Sequence, residues 1–316
     1  MELSRRGFFK IMSAAGMAVT VGARPTHAAS TSRSAVNDYG CLVDTTLCVG
    51  CRKCEQVCNQ RHGLPQPGES YREVTVLEKE RRMDETTYTV VNKYYPKNIG
   101  TLTWRNRPTF VKFQCMHCNE PSCVSACIVG ALAKQENGAV IYDAAKCIGC
   151  RYCMVACPFQ VPAYEYHNAL TPQVRKCTFC YQYVKDGGLP ACAQVCPREV
   201  MTFGQKEKLL KLARWKMKKN PGKYVDHIYG EHEVGGTSWL YLASEPFDTI
   251  GFPRLGNKAP PRLTEAIQHG LFQYFAAPLI LYATLGGVMW ATGFMKNGKK
   301  KVTSMPARKE KPHEHP

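Results

Sequence analysis

Apolar and polar positions divide this 316-residue chain into two long apolar runs with a mosaic of short segments between them. Residues 8–21 form the first run, and residues 271–294 form the second, 24 positions without a charged side chain. Between them, alternation predicts strands in "REVTVLEK" (72–79), "TTYTVVNKYY" (86–95), residues 140–143, "VMTFG" (200–204) and "GTSWLYLASEPF" (236–247). Residues 207–219 have the period of an amphipathic helix, rich in lysine and expected at the surface. A Ser/Thr-rich lead-in at 29–40 and a Pro-rich linker at 251–270 complete the layout.

The flanks of the two runs give them roles. Arg5 and Arg6 in "SRRGFFK" precede the first run, and "THAA" follows with small residues for cleavage after Ala28. That is a twin-arginine secretory signal over residues 1–28, a route that exports proteins already folded. The second run, at 1.5 Å rise per residue, spans a hydrocarbon core of about 30 Å. Lys296, Lys299, Lys300, Lys301, Arg308, Lys309 and Lys311 follow it, and such a basic tail (295–316) stays in the cytoplasm. The expected location is therefore the periplasmic face of the cytoplasmic membrane, held by one transmembrane helix.

The formal net charge of +17 suggests nucleic acid until it is apportioned. The signal and the tail hold a large share of the excess cations. No base-stacking or base-reading motif accompanies the charge, so no nucleic-acid partner is expected.

Cysteine decides the chemistry. Of 17 cysteines, sixteen form four groups: Cys48, Cys51, Cys54, Cys58; Cys115, Cys118, Cys123, Cys127; Cys147, Cys150, Cys153, Cys157; and Cys177, Cys180, Cys192, Cys196. The third, "CIGCRYCMVACP", has the gaps of the bacterial ferredoxin run, whose fourth thiolate serves a second cluster. Every group keeps the last three-residue gap, about one helical turn. Zinc has no use for a third cysteine at the next two-residue gap, as in the groups that begin at Cys48 and Cys147. Cysteines so close on one turn also pair poorly as disulfides, and the chain is long enough to need none. Four 4Fe-4S clusters are expected. By the crossing rule, Cys48, Cys51 and Cys54 share one with Cys196, and Cys177, Cys180 and Cys192 share one with Cys58. Cys115, Cys118 and Cys123 go with Cys157, and Cys147, Cys150 and Cys153 with Cys127. Cys41 is left over as an incidental thiol. His117 is expected to pack beside a cluster, and Tyr152, Met154 and Phe159 to dry the sites.

The nesting of the groups places an inner unit at 108–165 inside an outer one, 29–107 with 166–205, followed by an extension at 206–270. "CVGC", "QCMHC", "VSAC", "CRYCMVACP", "GGLPACAQVCP" and "YGEHEVGGTSWLYL" (229–242) resemble the four-cluster electron-transfer subunits of membrane oxidoreductases. Within that group the chain is most similar to the exported, anchored subunit of quinone-reactive nickel–iron hydrogenases. Ile128 departs from the pattern, standing where many relatives have proline. The resemblance implies an α+β fold of two interleaved bacterial-ferredoxin-like modules, four 4Fe-4S clusters and no catalytic site. It also implies a periplasmic catalytic subunit and an integral membrane quinone-reactive subunit as partners. The alternative is the equivalent subunit of a formate dehydrogenase or of a sulfur-oxyanion or polysulfide reductase.

Overall fold

The computed structural model describes residues 38–95, 107–168, 170–261 and 282–287. The expected signal and basic tail, and all of the expected span except 282–287, lie outside the described residues. Among the described residues no helix is long and apolar enough to cross a membrane.

A three-stranded sheet organises the core. Strand β1 (Tyr39–Asp44) is central. It pairs parallel with "WLYL", Trp239–Leu242, where Cys41 faces Trp239. On its other edge it runs antiparallel to Met201–Gln205, where Cys41 faces Phe203. Successive side chains on a strand point to opposite faces, and both faces here are apolar. Leu42, Leu240 and Leu242 pack on one face against Leu209 and Ala213 of the helix Lys206–Lys219. Cys41, Val43, Trp239 and Tyr241 line the other face, together with Phe179, Met201 and several cysteines. Burying such a side chain contributes about 1.5–3 kcal/mol, so one sheet both anchors the lysine-rich helix and roofs the cysteine region.

The remaining strands form short antiparallel pairs. β2 (Thr89–Tyr94) pairs with β3 (Thr109–Gln114), setting Val91 opposite Lys112. β4 (Leu132–Lys134) pairs with β5 (Val140–Tyr142), and β6 (Ala163–Tyr164) with β7 (Val174–Arg175). With the strand Met201–Gln205 as β8 and Trp239–Leu242 as β9, the numbering is complete. Short helices carry the ends of the cysteine groups. α1 (Lys53–His62) packs on Ala191–Gln194, and Ser122–Ser125 packs on Tyr152–Ala156.

The sequence expectations diverge from this fold in four places. Residues 72–79 are not a strand, and Thr75–Glu78 forms a 3-10 turn. Arg52 explains why: its guanidinium donates to the carbonyls of Ser70 and Glu73 and so curls the segment back over the first cysteine group. The lead-in contains the start of β1, whose 6 residues alternation did not flag because both faces are covered. The first part of the expected linker belongs to the fold, since Phe252 and Ala259 are buried and the Val234 and Gly235 amides donate to Gly256 O and Asn257 O. Tyr152 does not dry a site, because its ring is exposed to solvent.

Candidate metal centres

One local backbone recurs at the cysteine groups. In the first, Gly50 and Arg52 take left-handed φ values of 69° and 58°; in the third, Gly149 and Arg151 take 71° and 60°. His117 (φ 48°) and Phe179 (φ 59°) occupy the same place between the first two cysteines of the other groups. Such a φ costs a non-glycine residue about 1–2 kcal/mol, and concentrated backbone strain of this kind marks functional sites. It turns successive peptides so that the thiols of a two-residue gap face one side.

A second turn follows three of the fourth cysteines. Gly130, Gln160 and Glu199 are left-handed, and their amides donate to the carbonyls of Cys127, Cys157 and Cys196 at 3.1, 3.0 and 3.2 Å. The next amide then reaches sulfur: Ala131 N–H lies 3.2 Å from Cys127 Sγ and Val200 N–H 3.4 Å from Cys196 Sγ. Ile128 leaves this turn intact although proline is missing there. Gly130 supplies the left-handed residue at the position that Gln160 and Glu199 hold in the other two.

The groups meet across the chain. Cys48, Cys51, Cys54 and Cys196 line one pocket, about 400 Å³ of space partly open to solvent. Cys58 feels the charges of Cys177, Cys192 and Cys180. Cys118 feels those of Cys115, Cys157 and Cys123, and Cys153 those of Cys147, Cys127 and Cys150. Packing joins neighbouring sets as well, for Cys123 shares one apolar cluster with Cys127, Cys147 and Cys153, and Cys58 packs with Cys177. Cys177 also feels Cys115, and the His117 and Phe179 rings lie 5.0 Å apart, so the second and third of these sets adjoin. Of the seventeen cysteines, only Cys51 and Cys150 are exposed.

Burial, and then the neighbouring thiolates, push the thiols up: Cys48 and Cys153 to about 11, Cys123 and Cys177 to about 12. Burial likewise holds Cys54, Cys58 and Cys118 well above the usual thiol range. Protons occupy such thiols until a metal displaces them, so binding releases protons and weakens as pH falls. Among the described residues no three His, Cys, Asp or Glu side chains converge tightly enough for a single ion. Among the described residues the pocket of the first set is lined by four thiols and by no carboxylate or imidazole, a donor set that suits an iron–sulfur cubane.

The accessory residues fall into place around these sets. His117 is fully buried, and its Nδ1 accepts the Val140 amide at 2.8 Å, so the ring is a packing group whose other nitrogen finds no protein partner. Met154 and Phe159 are partly buried against the cysteine-bearing cores. Cys41 is fully buried in β1, where burial and then Cys192 raise its pKa. Sequence reasoning missed Lys112 and Glu55, each 3% exposed or less. A charged residue inside an alternating strand was the available signal for Lys112. Glu55 bonds Arg52 and Arg81 and accepts the Val91 amide at 2.6 Å, a lock that no local pattern reveals.

Comparison with known proteins agrees with the thiol geometry. Residues 107–206 match the 4Fe-4S dicluster domain family. A protein of Nitratidesulfovibrio vulgaris (strain Hildenborough) is 46% identical over 83% of this chain and 70% of its own. The hydrogenase-2 operon protein HybA of Escherichia coli O157:H7 is 34% identical over 90% of this chain and 94% of its own. The iron–sulfur subunit of the nitrate-inducible formate dehydrogenase of Escherichia coli K12 is 32% identical over 71% and 76%. With a ferredoxin-like α+β fold, thiols gathered from paired groups and relatives along most of its length, the chain belongs to the multi-cluster iron–sulfur subunits that transfer electrons in oxidoreductase complexes.

Proposed function

We propose that the chain carries electrons through four 4Fe-4S clusters between a periplasmic nickel–iron hydrogenase and an integral membrane subunit that reacts with quinone, with no catalytic site of its own. The observation that supports this reading is the meeting of Cys48, Cys51 and Cys54 with the distant Cys196 around one pocket, with Cys51 and Cys150 exposed. Each cluster supplies reversible one-electron exchange. The chain's residues set the conditions for it. Cys48, Cys51, Cys54 and Cys196 hold the first; Cys58, Cys177, Cys180 and Cys192 the second; Cys115, Cys118, Cys123 and Cys157 the third; Cys127, Cys147, Cys150 and Cys153 the fourth. Amides at Ala131 and Val200 donate to sulfur and spread the thiolate charge. Apolar cover keeps water from the middle of the path.

The order along the path follows from the contacts. The outer module holds the first and second sets, and the inner module the third and fourth. The second and third adjoin through Cys177 and Cys115, and Cys51 and Cys150 mark the two ports. The twin-arginine signal would deliver the folded protein outward, and residues 271–294 would anchor it, with the basic tail inside. HybA supports the hydrogenase assignment. The formate dehydrogenase relative supports the second reading, an equivalent wire in a formate-oxidising complex.

Co-purification separates the two. Gentle solubilisation of the tagged protein should bring down a nickel–iron subunit, and a molybdopterin subunit in its place would move the chain to the second reading. The anaerobically purified protein should carry about sixteen iron atoms, four per cubane. Stoichiometric zinc instead of iron would end the electron-transfer assignment.

A further inference from the structure

Lys112 is a cation in an unusual place. It sits on β3 and is 3% exposed. Its Nζ donates to a neutral amide, Gln114 Oε1 at 2.7 Å, and among the described residues to no carboxylate. The indole of Trp239 lies beneath it, 4.4 Å from Nζ to ring centroid, and the anchor is closed by Gln114 Nε2 donating to Tyr241 OH and Tyr241 OH donating to Lys112 O. A buried ammonium without a carboxylate needs another source of negative charge. Burial alone would lower its pKa, but Cys192, Cys54 and Tyr241 outweigh that and hold it above the usual lysine value.

Lys112 lines the pocket of Cys48, Cys51, Cys54 and Cys196. The thiols that feel Lys112 include Cys48 and Cys54 of the first set, and Cys58, Cys177 and Cys180 of the second. In the inner module, Cys118 answers to Lys134 and Cys123 to Lys176, and His117 feels Lys112 only after Lys176 and Lys134.

We propose that Lys112 is a fixed charge shared by the two clusters of the outer module, placed to raise the reduction potential of that pair relative to the inner pair. The inference rests on the cluster assignment above. On reduction, each cluster gains one electron from the partner subunit and one unit of negative charge, with no bond made or broken in the chain. A cation within the same low-dielectric region stabilises the reduced form more than the oxidised one. Lys112 therefore positions the outer pair on the potential scale, and the Gln114–Tyr241–Trp239 anchor keeps its charge from swinging toward water.

The test is an EPR-monitored redox titration of the full chain, purified anaerobically, as wild type and as Lys112→Met, Lys112→Gln and Lys112→Arg. Two of the four clusters should titrate at lower potential in both neutral variants, by about tenfold in the reduction equilibrium, or 59 mV for a one-electron couple. The other two should stay in place, and Lys112→Arg should leave all four near wild type. Equal shifts in all four clusters, no shift, or an arginine variant that moves as far as the glutamine variant would overturn the proposal. So would failure of both neutral variants to retain iron while the arginine variant retains it, because the charge would then serve assembly and not potential. A wild-type protein without iron would sink the cluster assignment itself, a different failure that iron analysis identifies beforehand.

Discussion

The groups that begin at Cys48 and Cys147 have the same gaps and almost the same backbone, yet they live in different surroundings. Gly50 and Gly149 differ by two degrees in φ, as do Arg52 and Arg151. Arg52 is buried, bonded to Glu55 and to the carbonyls of Ser70 and Glu73, and 5.5 Å from the ring of Tyr71. Arg151 is exposed and rests beside Tyr164 and Tyr166 at 5.6 and 5.9 Å. The helix that carries the end of the first group runs 10 residues, against 5 in the third. Cysteine spacing therefore fixes the turn, and the segment that follows fixes burial and charge. In the first group that segment, through β2, forms a lock. In the third the chain leaves almost at once.

Removing the lock tests this difference most severely. Glu55→Ala leaves Arg52 buried without its carboxylate and strands the Val91 amide, and breaking a buried pair in this way costs about 3–5 kcal/mol. Arg151→Ala removes only exposed cation–π contacts, worth about 0.5–1 kcal/mol. The thermal midpoint of the holo protein, followed through cluster absorbance, should fall far more for Glu55→Ala. Equal losses would mean that the cover of the first group is incidental.

The glycines sharpen the comparison at a smaller scale. Both Gly50→Ala and Gly149→Ala pay the left-handed penalty of about 1–2 kcal/mol. A Cβ at Gly50 would also stand 2.5 Å from the Phe110 ring, whereas at Gly149 it would meet the Tyr164 hydroxyl at 2.9 Å, the far end of a side chain. Overpacking adds about 1–3 kcal/mol where neighbours cannot move. Gly50→Ala should therefore be the more destabilising of the two, and a larger loss at Gly149 would reverse the assignment of the crowded and open groups.

These contrasts show which features were legible in the sequence. Cysteine gaps are local, and they announced both the turn and the helical step to the fourth thiol. The helix Lys206–Lys219 was legible because its period survives in the chain, and β9 because its apolar run, Trp239–Leu242, stands out between polar neighbours. β1 was hidden, because Leu42 and Val43 are covered on opposite faces and leave no alternation. Residues 72–79 alternate like a strand, but the Arg52 guanidinium claims the carbonyls of Glu73 and of Ser70 just before it. Lys112 and Glu55 act through partners distant in sequence, and their charge alone could not reveal burial.

The smallest expected effect on stability concerns the open side of the third group. Ile148, Tyr152 and Val155 are 62%, 61% and 85% exposed beside Cys150, itself exposed. Substitutions at such positions usually change stability by no more than about 0.5 kcal/mol, so Val155→Asp should leave the thermal midpoint and the iron content at wild-type values. If Cys150 marks a port, this apolar rim is where a partner subunit seats, and a charge there opposes desolvation of the contact. Electron delivery in the assembled complex should then slow severalfold, while reduction of the isolated chain by a small soluble dye stays unchanged. The matched change on the first group is Val49→Asp, at a side chain 53% exposed that lines the pocket of Cys51. It should impair exchange with the partner at the other end. If neither variant slows transfer in the complex, the exposed thiols are not the ports, and the open surroundings of the third group need another explanation.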